Sequence, residues 1–167
     1  MIASRAQRRG INLLGVAAVV GLMSYALYAQ HVLGLEACPL CIFQRIALIA
    51  LGLVLVAAAL HAPKSARAYA LIGLVPAIAG AGISSWHVRL QNLPPAEIPS
   101  CGPGFDYMFS SGAFPFMDAL KMVFTGSGEC AEVNWTFLGL SMPAWVLVWF
   151  VLLGALVAIA NWKKISR

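Results

Sequence analysis

Pro143–Ala160 reads PAWVLVWFVLLGALVAIA, eighteen residues without a charged side chain. At ~1.5 Å per residue, a helix of this length approaches the ~30 Å of bilayer hydrocarbon. Ile11–Ala29 and Ala68–Trp86 are equally free of charge, and Ile42–Leu60 is interrupted only near its start, by Gln44 and Arg45. The 167 residues are 61% hydrophobic and only 10% charged, with a mean hydropathy of +0.85. That is too little charge to clothe a soluble domain. The chain therefore reads as an all-α membrane protein, a four-transmembrane-helix bundle. Its spans lie near 11–29, 42–60, 68–86 and 143–160, and residues 1–167 form a single integral membrane domain.

Charge placement orients the bundle. Arg5, Arg8 and Arg9 precede the first span, Lys64 and Arg67 lie between the second and third, and Lys163, Lys164 and Arg167 follow the fourth. All six acidic residues fall on the other side: Glu36, Glu97, Asp106, Asp118, Glu129 and Glu132. The positive-inside rule puts both termini in the cytoplasm and the loops near 30–41 and 89–142 outside. The net charge of +5 reflects this bias, and no nucleic-acid partner is expected. The first span has a basic flank, but its apolar core is longer than the ~7–15 residues of a signal peptide and no A-x-A site follows. It reads as a retained helix.

The long outer loop has three parts. Pro94, Pro95 and Pro99 mark an extended linker. Gly102, Gly104 and Gly112 loosen the backbone around Cys101. Phe116, Met117, Leu120, Val123 and Phe124 then recur at helical spacing, so Phe114–Phe124 is expected to form a short helix lying on the membrane surface or on the bundle top. Gly126 and Gly128 are expected to release the chain before Cys130. Pro76, flanked by Gly73, Gly80 and Gly82, is expected inside the third span, tolerated by neighbouring helices and by close packing.

All four cysteines, Cys38, Cys41, Cys101 and Cys130, fall on the outer, oxidising side. Cys38 and Cys41 sit three apart at the start of the second span. The unpaired N–H groups of a helix start favour thiolate, the reactive form. Arg45, one turn beyond Cys41, is either a snorkelling interface cation or a partner for the Cys41 thiolate or an anionic cofactor state. The pairing with Cys41 favours the second. Cys101 and Cys130 are either a structural staple closing a loop of about 30 residues, worth roughly 3 kcal/mol, or a disulfide built to be attacked.

Four cysteines allow three pairings. The nested one, Cys38–Cys41 and Cys101–Cys130, is taken for the resting state, with an interloop bond such as Cys38–Cys130 during exchange. Zinc held by Cys38, Cys41 and His31 with a loop cysteine, or copper capture, is a weaker alternative; no metal is assigned. Haem attachment needs histidine directly after the second cysteine, where Ile42 stands. No glycine-rich dinucleotide fingerprint is present. Oxygen or a lipid-soluble quinone is left as electron acceptor. His87, at the outer end of the third span, is either a wetted belt residue or a hydrogen-bond partner for a quinone.

The segments Gln30-His31-Val32 and Cys38-Pro39-Leu40-Cys41-Ile42-Phe43-Gln44-Arg45 resemble the signature of the bacterial disulfide bond formation protein B (DsbB) family. So do Gly128-Glu129-Cys130-Ala131-Glu132 and Trp135-Thr136-Phe137-Leu138-Gly139-Leu140-Ser141-Met142-Pro143-Ala144-Trp145. The resemblance runs over nearly the whole chain. It implies a bacterial inner-membrane enzyme that generates disulfides and reoxidises a periplasmic thioredoxin-fold dithiol oxidase (DsbA-like), with ubiquinone or menaquinone as cofactor. Carried over residue by residue, Cys101 is attacked by the partner, Cys130 passes the exchange to Cys38, and Cys41 is left as thiolate at the quinone. Arg45 and His87 become quinone-binding residues. Other readings are a paralogue serving a dedicated client oxidase, and a non-enzymatic scaffold with structural disulfides or a metal.

Overall fold

The computed structural model describes residues 4–63, 65–98 and 128–162. Four long helices dominate it: α1 (Arg5–His31), α2 (Pro39–His61), α3 (Arg67–Leu90) and, after the short helix α4 (Gly128–Ala131), α5 (Met142–Trp162). Each is long and apolar enough to cross a membrane. The remainder is a 3-10 turn at Pro95–Glu97 and a two-stranded antiparallel hairpin, β1 (Thr136–Phe137) with β2 (Leu140–Ser141). The hairpin turns through Leu138 (φ 52°) and Gly139 (φ 80°), the two positive φ values that a two-residue turn needs to match strand twist. Cys101 and the surface helix expected at Phe114–Phe124 lie outside the described residues.

Local chemistry sets the helix ends. Ser4 caps α1 by accepting from the Gln7 N–H at 3.1 Å, which satisfies one of the orphan donors of the first turn. Cys38 caps α2, and Pro39 follows at the first helical position, where its missing N–H costs nothing. Ala62 ends α2 in the left-handed region (φ 35°), and Pro63 cannot continue the helix. Pro76 lies within α3 without ending it.

The helices form a closed ring: α1 packs on α2, α2 on α3, α3 on α5, and α5 back on α1, with α3–α5 the most extensive contact. Neighbours are antiparallel. The start of α1 meets the ends of α2 and α5, since Arg8 donates from Nε to the Ala160 carbonyl at 3.1 Å and from NH1 to the Pro63 carbonyl. Arg67 at the start of α3 reaches the Trp162 carbonyl at 3.3 Å. The opposite end gathers the end of α1, the start of α2 and the end of α3. Among the described residues, Arg5, Arg8, Arg9 and Arg67 thus lie at one end of the bundle and Cys38, Cys41 and Cys130 at the other.

Leu48, Leu51, Leu55, Phe150, Leu153 and Val157 form the centre of the core. Glycines bring backbones close where the core is widest: Gly73 faces Val157 and Gly80 faces Phe150. Large apolar side chains such as Leu14, Leu53, Leu60, Val75, Ile78 and Ile159 point outward, as required of a bundle solvated by lipid. At the basic end the interior is polar. Asn12 and Asn161 exchange side-chain hydrogen bonds at 3.2 and 3.0 Å, and Arg8 is wholly buried beside them. A cation among the last carbonyls of two helices is favoured by their dipoles.

Candidate active site

Cys38 stands where α2, α3 and α4 meet. As the cap of α2 its Sγ accepts from the Cys41 N–H at 3.4 Å. The same sulfur donates to Cys41 Sγ at 2.9 Å and lies 3.8 Å from Nε2 of His87 on α3. Cys130, on α4, completes the group: one ligand-type atom each from Cys38, His87 and Cys130 falls within 4.8 Å of the others. No disulfide joins Cys38, Cys41 and Cys130 to one another here. Hydrogen bonds with Cys130 and Cys41, together with burial, push the Cys38 thiol above the ordinary cysteine range.

Cys130 is not on open glycine-loosened backbone, as the flanking glycines led one to expect. It occupies a helical turn and is 0% exposed. Burial against Cys38, Leu40 and Leu90, with Ile83, Trp86 and Leu93 around them, outweighs the local freedom that Gly128 confers. His87 also departs from one of its two expectations. It is 3% exposed, so it is not a wetted belt residue. Its ring is held from two sides, by the Gln44 side-chain amide 3.3 Å from Nδ1 and by the backbone of Cys130.

Arg45 leaves α2 toward α1, where its guanidinium bonds the Gln30 side chain and, at 3.1 Å, the Ala26 carbonyl. It does not extend into free solvent as a snorkelling residue would. A cavity of about 380 Å³ opens beside these groups, with Cys38, Cys41, Gln44, Arg45 and His87 on its wall. The rest of the lining is mainly apolar and aromatic, including Tyr25, Trp135, Trp145, Trp149 and Phe150. Tyr25 packs edge-on to Trp135 at 6.0 Å, and Trp135 stacks on Phe137 at 6.2 Å. Trp145 donates to the Phe137 carbonyl at 2.9 Å, which pins the hairpin over the start of α5.

Five of the six residues singled out in the sequence, Cys38, Cys41, Arg45, His87 and Cys130, come together here; Cys101 lies outside the described residues. Sequence reasoning passed over Gln44 and Gln30. Gln44 carried a signal, being one of two polar residues inside an otherwise apolar span. Its partner is 43 positions away, so nothing local showed what it was for.

The family described as disulfide bond formation protein DsbB matches residues 8–160. The chain belongs to the DsbB family. A protein named disulfide bond formation protein B from Methylococcus capsulatus is 54% identical over 153 residues, covering 90% of this chain and 92% of the relative. One from Hahella chejuensis is 50% identical over 161 residues, 95% of this chain and 96% of its own. One from Azoarcus is 41% identical over 169 residues, 100% of this chain and 98% of its own. The DsbB family makes the protein a multi-pass membrane protein of disulfide bond formation, a disulfide-forming oxidoreductase.

Proposed function

We propose that this protein oxidises a periplasmic thioredoxin-fold dithiol oxidase of the DsbA type and delivers the electrons to a membrane quinone. The observation that carries the reading is the position of the Cys38 sulfur, 2.9 Å from that of Cys41 and within 4.8 Å of that of Cys130. Thiol–disulfide exchange needs this arrangement of attacking, central and leaving sulfur. In the resting enzyme Cys38–Cys41 and Cys101–Cys130 are disulfides. A thiolate of the partner attacks Cys101, and Cys130 leaves with the electron pair. The Cys130 thiolate then attacks Cys38, a Cys38–Cys130 bond forms, the Cys38–Cys41 bond breaks, and Cys41 becomes the thiolate. A second partner thiol releases the oxidised partner, and the Cys101 thiolate so formed attacks Cys130 to return the two loop cysteines to a disulfide. The net result is oxidised partner and a reduced Cys38–Cys41 pair.

The cavity fits a quinone. Its mainly apolar and aromatic wall suits the ring, and Arg45 and His87, both on that wall, are the polar groups that would meet the quinone oxygens. When bound, the quinone supplies a two-electron, two-proton acceptor. Arg45 stabilises negative charge beside Cys41. Gln44 fixes the His87 ring so that Nε2 faces the Cys38 sulfur, where it can hold or accept the proton that Cys38 must lose. The arginines ahead of α1 and at the start of α3, at the end opposite Cys38, Cys41 and Cys130, support a bacterial inner-membrane protein, a single integral domain over 1–167, with cytoplasmic termini and periplasmic cysteines.

The experiment is anaerobic mixing of detergent-purified full-length protein with a reduced DsbA-type oxidase and a soluble quinone, following quinone absorbance. One quinone lost per partner oxidised, abolished in Cys41→Ser, is the expected result. Quinone loss that persists at the wild-type rate in Cys41→Ser would overturn it.

A further inference from the structure

Cys38, His87 and Cys130 form a compact, wholly interior S–N–S group as well as a relay junction. Around a tetrahedral zinc ion, ligand atoms at ~2.0–2.3 Å from the metal lie roughly 3.5–3.8 Å apart. The Cys38 Sγ–His87 Nε2 distance is 3.8 Å, and the three ligand atoms fall within 4.8 Å of one another. An inward shift of about 1 Å or less therefore closes the site. Cys41 Sγ, 2.9 Å from Cys38 Sγ, can supply a fourth donor. The Gln44 amide nitrogen lies 3.3 Å from the other ring nitrogen, Nδ1; turned over, that amide offers Nδ1–H the oxygen acceptor that a metal-bound histidine uses. The cavity reaches Cys38 and His87, and Glu129 and Glu132 lie on its wall, giving a divalent cation an acidic approach. His31, the histidine nearest the cysteine pair in sequence, is not in the group.

We propose that the reduced protein binds one thiophilic d10 divalent cation, Zn²⁺ or Cd²⁺, through Cys38, Cys130 and His87, and that this holds the enzyme in its reduced form. The site is independent of the quinone assignment. Two S–H bonds give up their protons, two metal–sulfur bonds and one metal–nitrogen bond form, and no electron moves. A sulfur committed to the metal cannot attack or be attacked, so exchange stops. A disulfide sulfur is not a thiolate ligand, so the oxidised protein does not bind and oxidation expels the ion. Metal capture and turnover exclude one another.

The test uses full-length protein in detergent, reduced with a phosphine, freed of reductant and titrated anaerobically with Cd²⁺ while the thiolate-to-metal charge-transfer band is followed. Saturation at one equivalent is expected, with none in the oxidised protein. Cys130→Ser and His87→Ala should each weaken binding at least ~10-fold, and Gln44→Leu, which keeps every ligand, by ~10–100-fold. Cadmium NMR of the wild-type protein should report mixed sulfur and nitrogen donors, a measurement that needs no variant to fold. Failure of the reduced protein to bind, unchanged affinity in both ligand variants, or an all-sulfur cadmium signal would each overturn the proposal.

Discussion

Replacing Gly80 by alanine probes the contact that holds α3 to α5. A Cβ at this position would lie under 3.0 Å from three carbons of the Phe150 ring, with the farthest of the three at 2.6 Å. Carbon atoms settle at ~3.5–4.0 Å, so ring and backbone must part by about 1 Å or more. Phe150 is 1% exposed and lines the cavity, so the clash is relieved only by the ring swinging toward that cavity or by the helices separating. Overpacking of this kind costs ~1–3 kcal/mol, of which alanine's advantage over glycine in a helix returns roughly 0.5–1. The net loss is then up to about 2.5 kcal/mol, or up to ~10 °C in Tm for a chain of this size. Gly82, two residues on, has nothing within 4 Å of the same hypothetical carbon. Gly82→Ala should therefore raise Tm, by up to ~4 °C.

The assay is thermal unfolding of both variants in one detergent, with Gly80→Ala/Phe150→Leu as the third measurement. Shrinking the ring should recover part of the Gly80→Ala loss, giving a coupling of ~0.5–3 kcal/mol between the two positions. Phe150 is also a wall of the cavity, and His87 lies seven residues, about 10 Å, along α3 from Gly80. Turnover with quinone should thus fall in Gly80→Ala and return with the double change. A Gly80→Ala Tm equal to or above that of Gly82→Ala would refute the packing argument, and strict additivity in the double variant would place the fault elsewhere than in this contact.

Three further outcomes are expected. Gln44→Leu should slow quinone-linked turnover while lowering stability by about 1–3 kcal/mol, the cost of a buried polar group left without its partner; Gln44→Glu, which can still meet Nδ1, should restore most of the rate, and an unimpaired Gln44→Leu would show that His87 needs no second partner. Arg45→Ala should raise the KM for quinone, measured by steady-state kinetics, and an unchanged KM would leave Arg45 as a tie between α2 and α1 only. Arg8→Met removes the donors to the Ala160 and Pro63 carbonyls and should cost about 1–3 kcal/mol in detergent unfolding, whereas Arg9→Met, at an exposed position, should change stability by less than ~0.5 kcal/mol; equal effects would mean that burial of Arg8 contributes nothing.

What the sequence reveals and what it conceals divide along contact range. The spans are legible because the bilayer reads each segment alone: a charge-free run of the right length is sufficient. The start of α2 is legible for the same reason, since Cys38 and Pro39 set the cap by local chemistry. Arg8 shows the limit. As one of three arginines ahead of a span it reads as a flank charge, yet it is buried while Arg9 is exposed; both donate to carbonyls at or just past the end of α2, and Arg8 alone of the two also reaches Ala160 on α5, 152 positions away.

Gly80 and Gly82 are likewise indistinguishable until Phe150 arrives from α5. The site behaves in the same way. Each of its cysteines announces reactive chemistry by residue type, but the arrangement that brings three of them together, and on which the proposed relay depends, comes from α2, α3 and α4 meeting at Cys38. Direction is therefore a property of the bundle end and not of the C-x-x-C pair. A change that leaves all four cysteines in place but shifts α3 against α2, such as loss of the Gln44–His87 contact, should slow the transfer between the pairs more than it alters either pair alone. Rapid-quench trapping of the Cys38–Cys130 bond would reveal this, because slower formation with unchanged reactivity of each isolated pair is the signature of misplacement and not of altered sulfur chemistry.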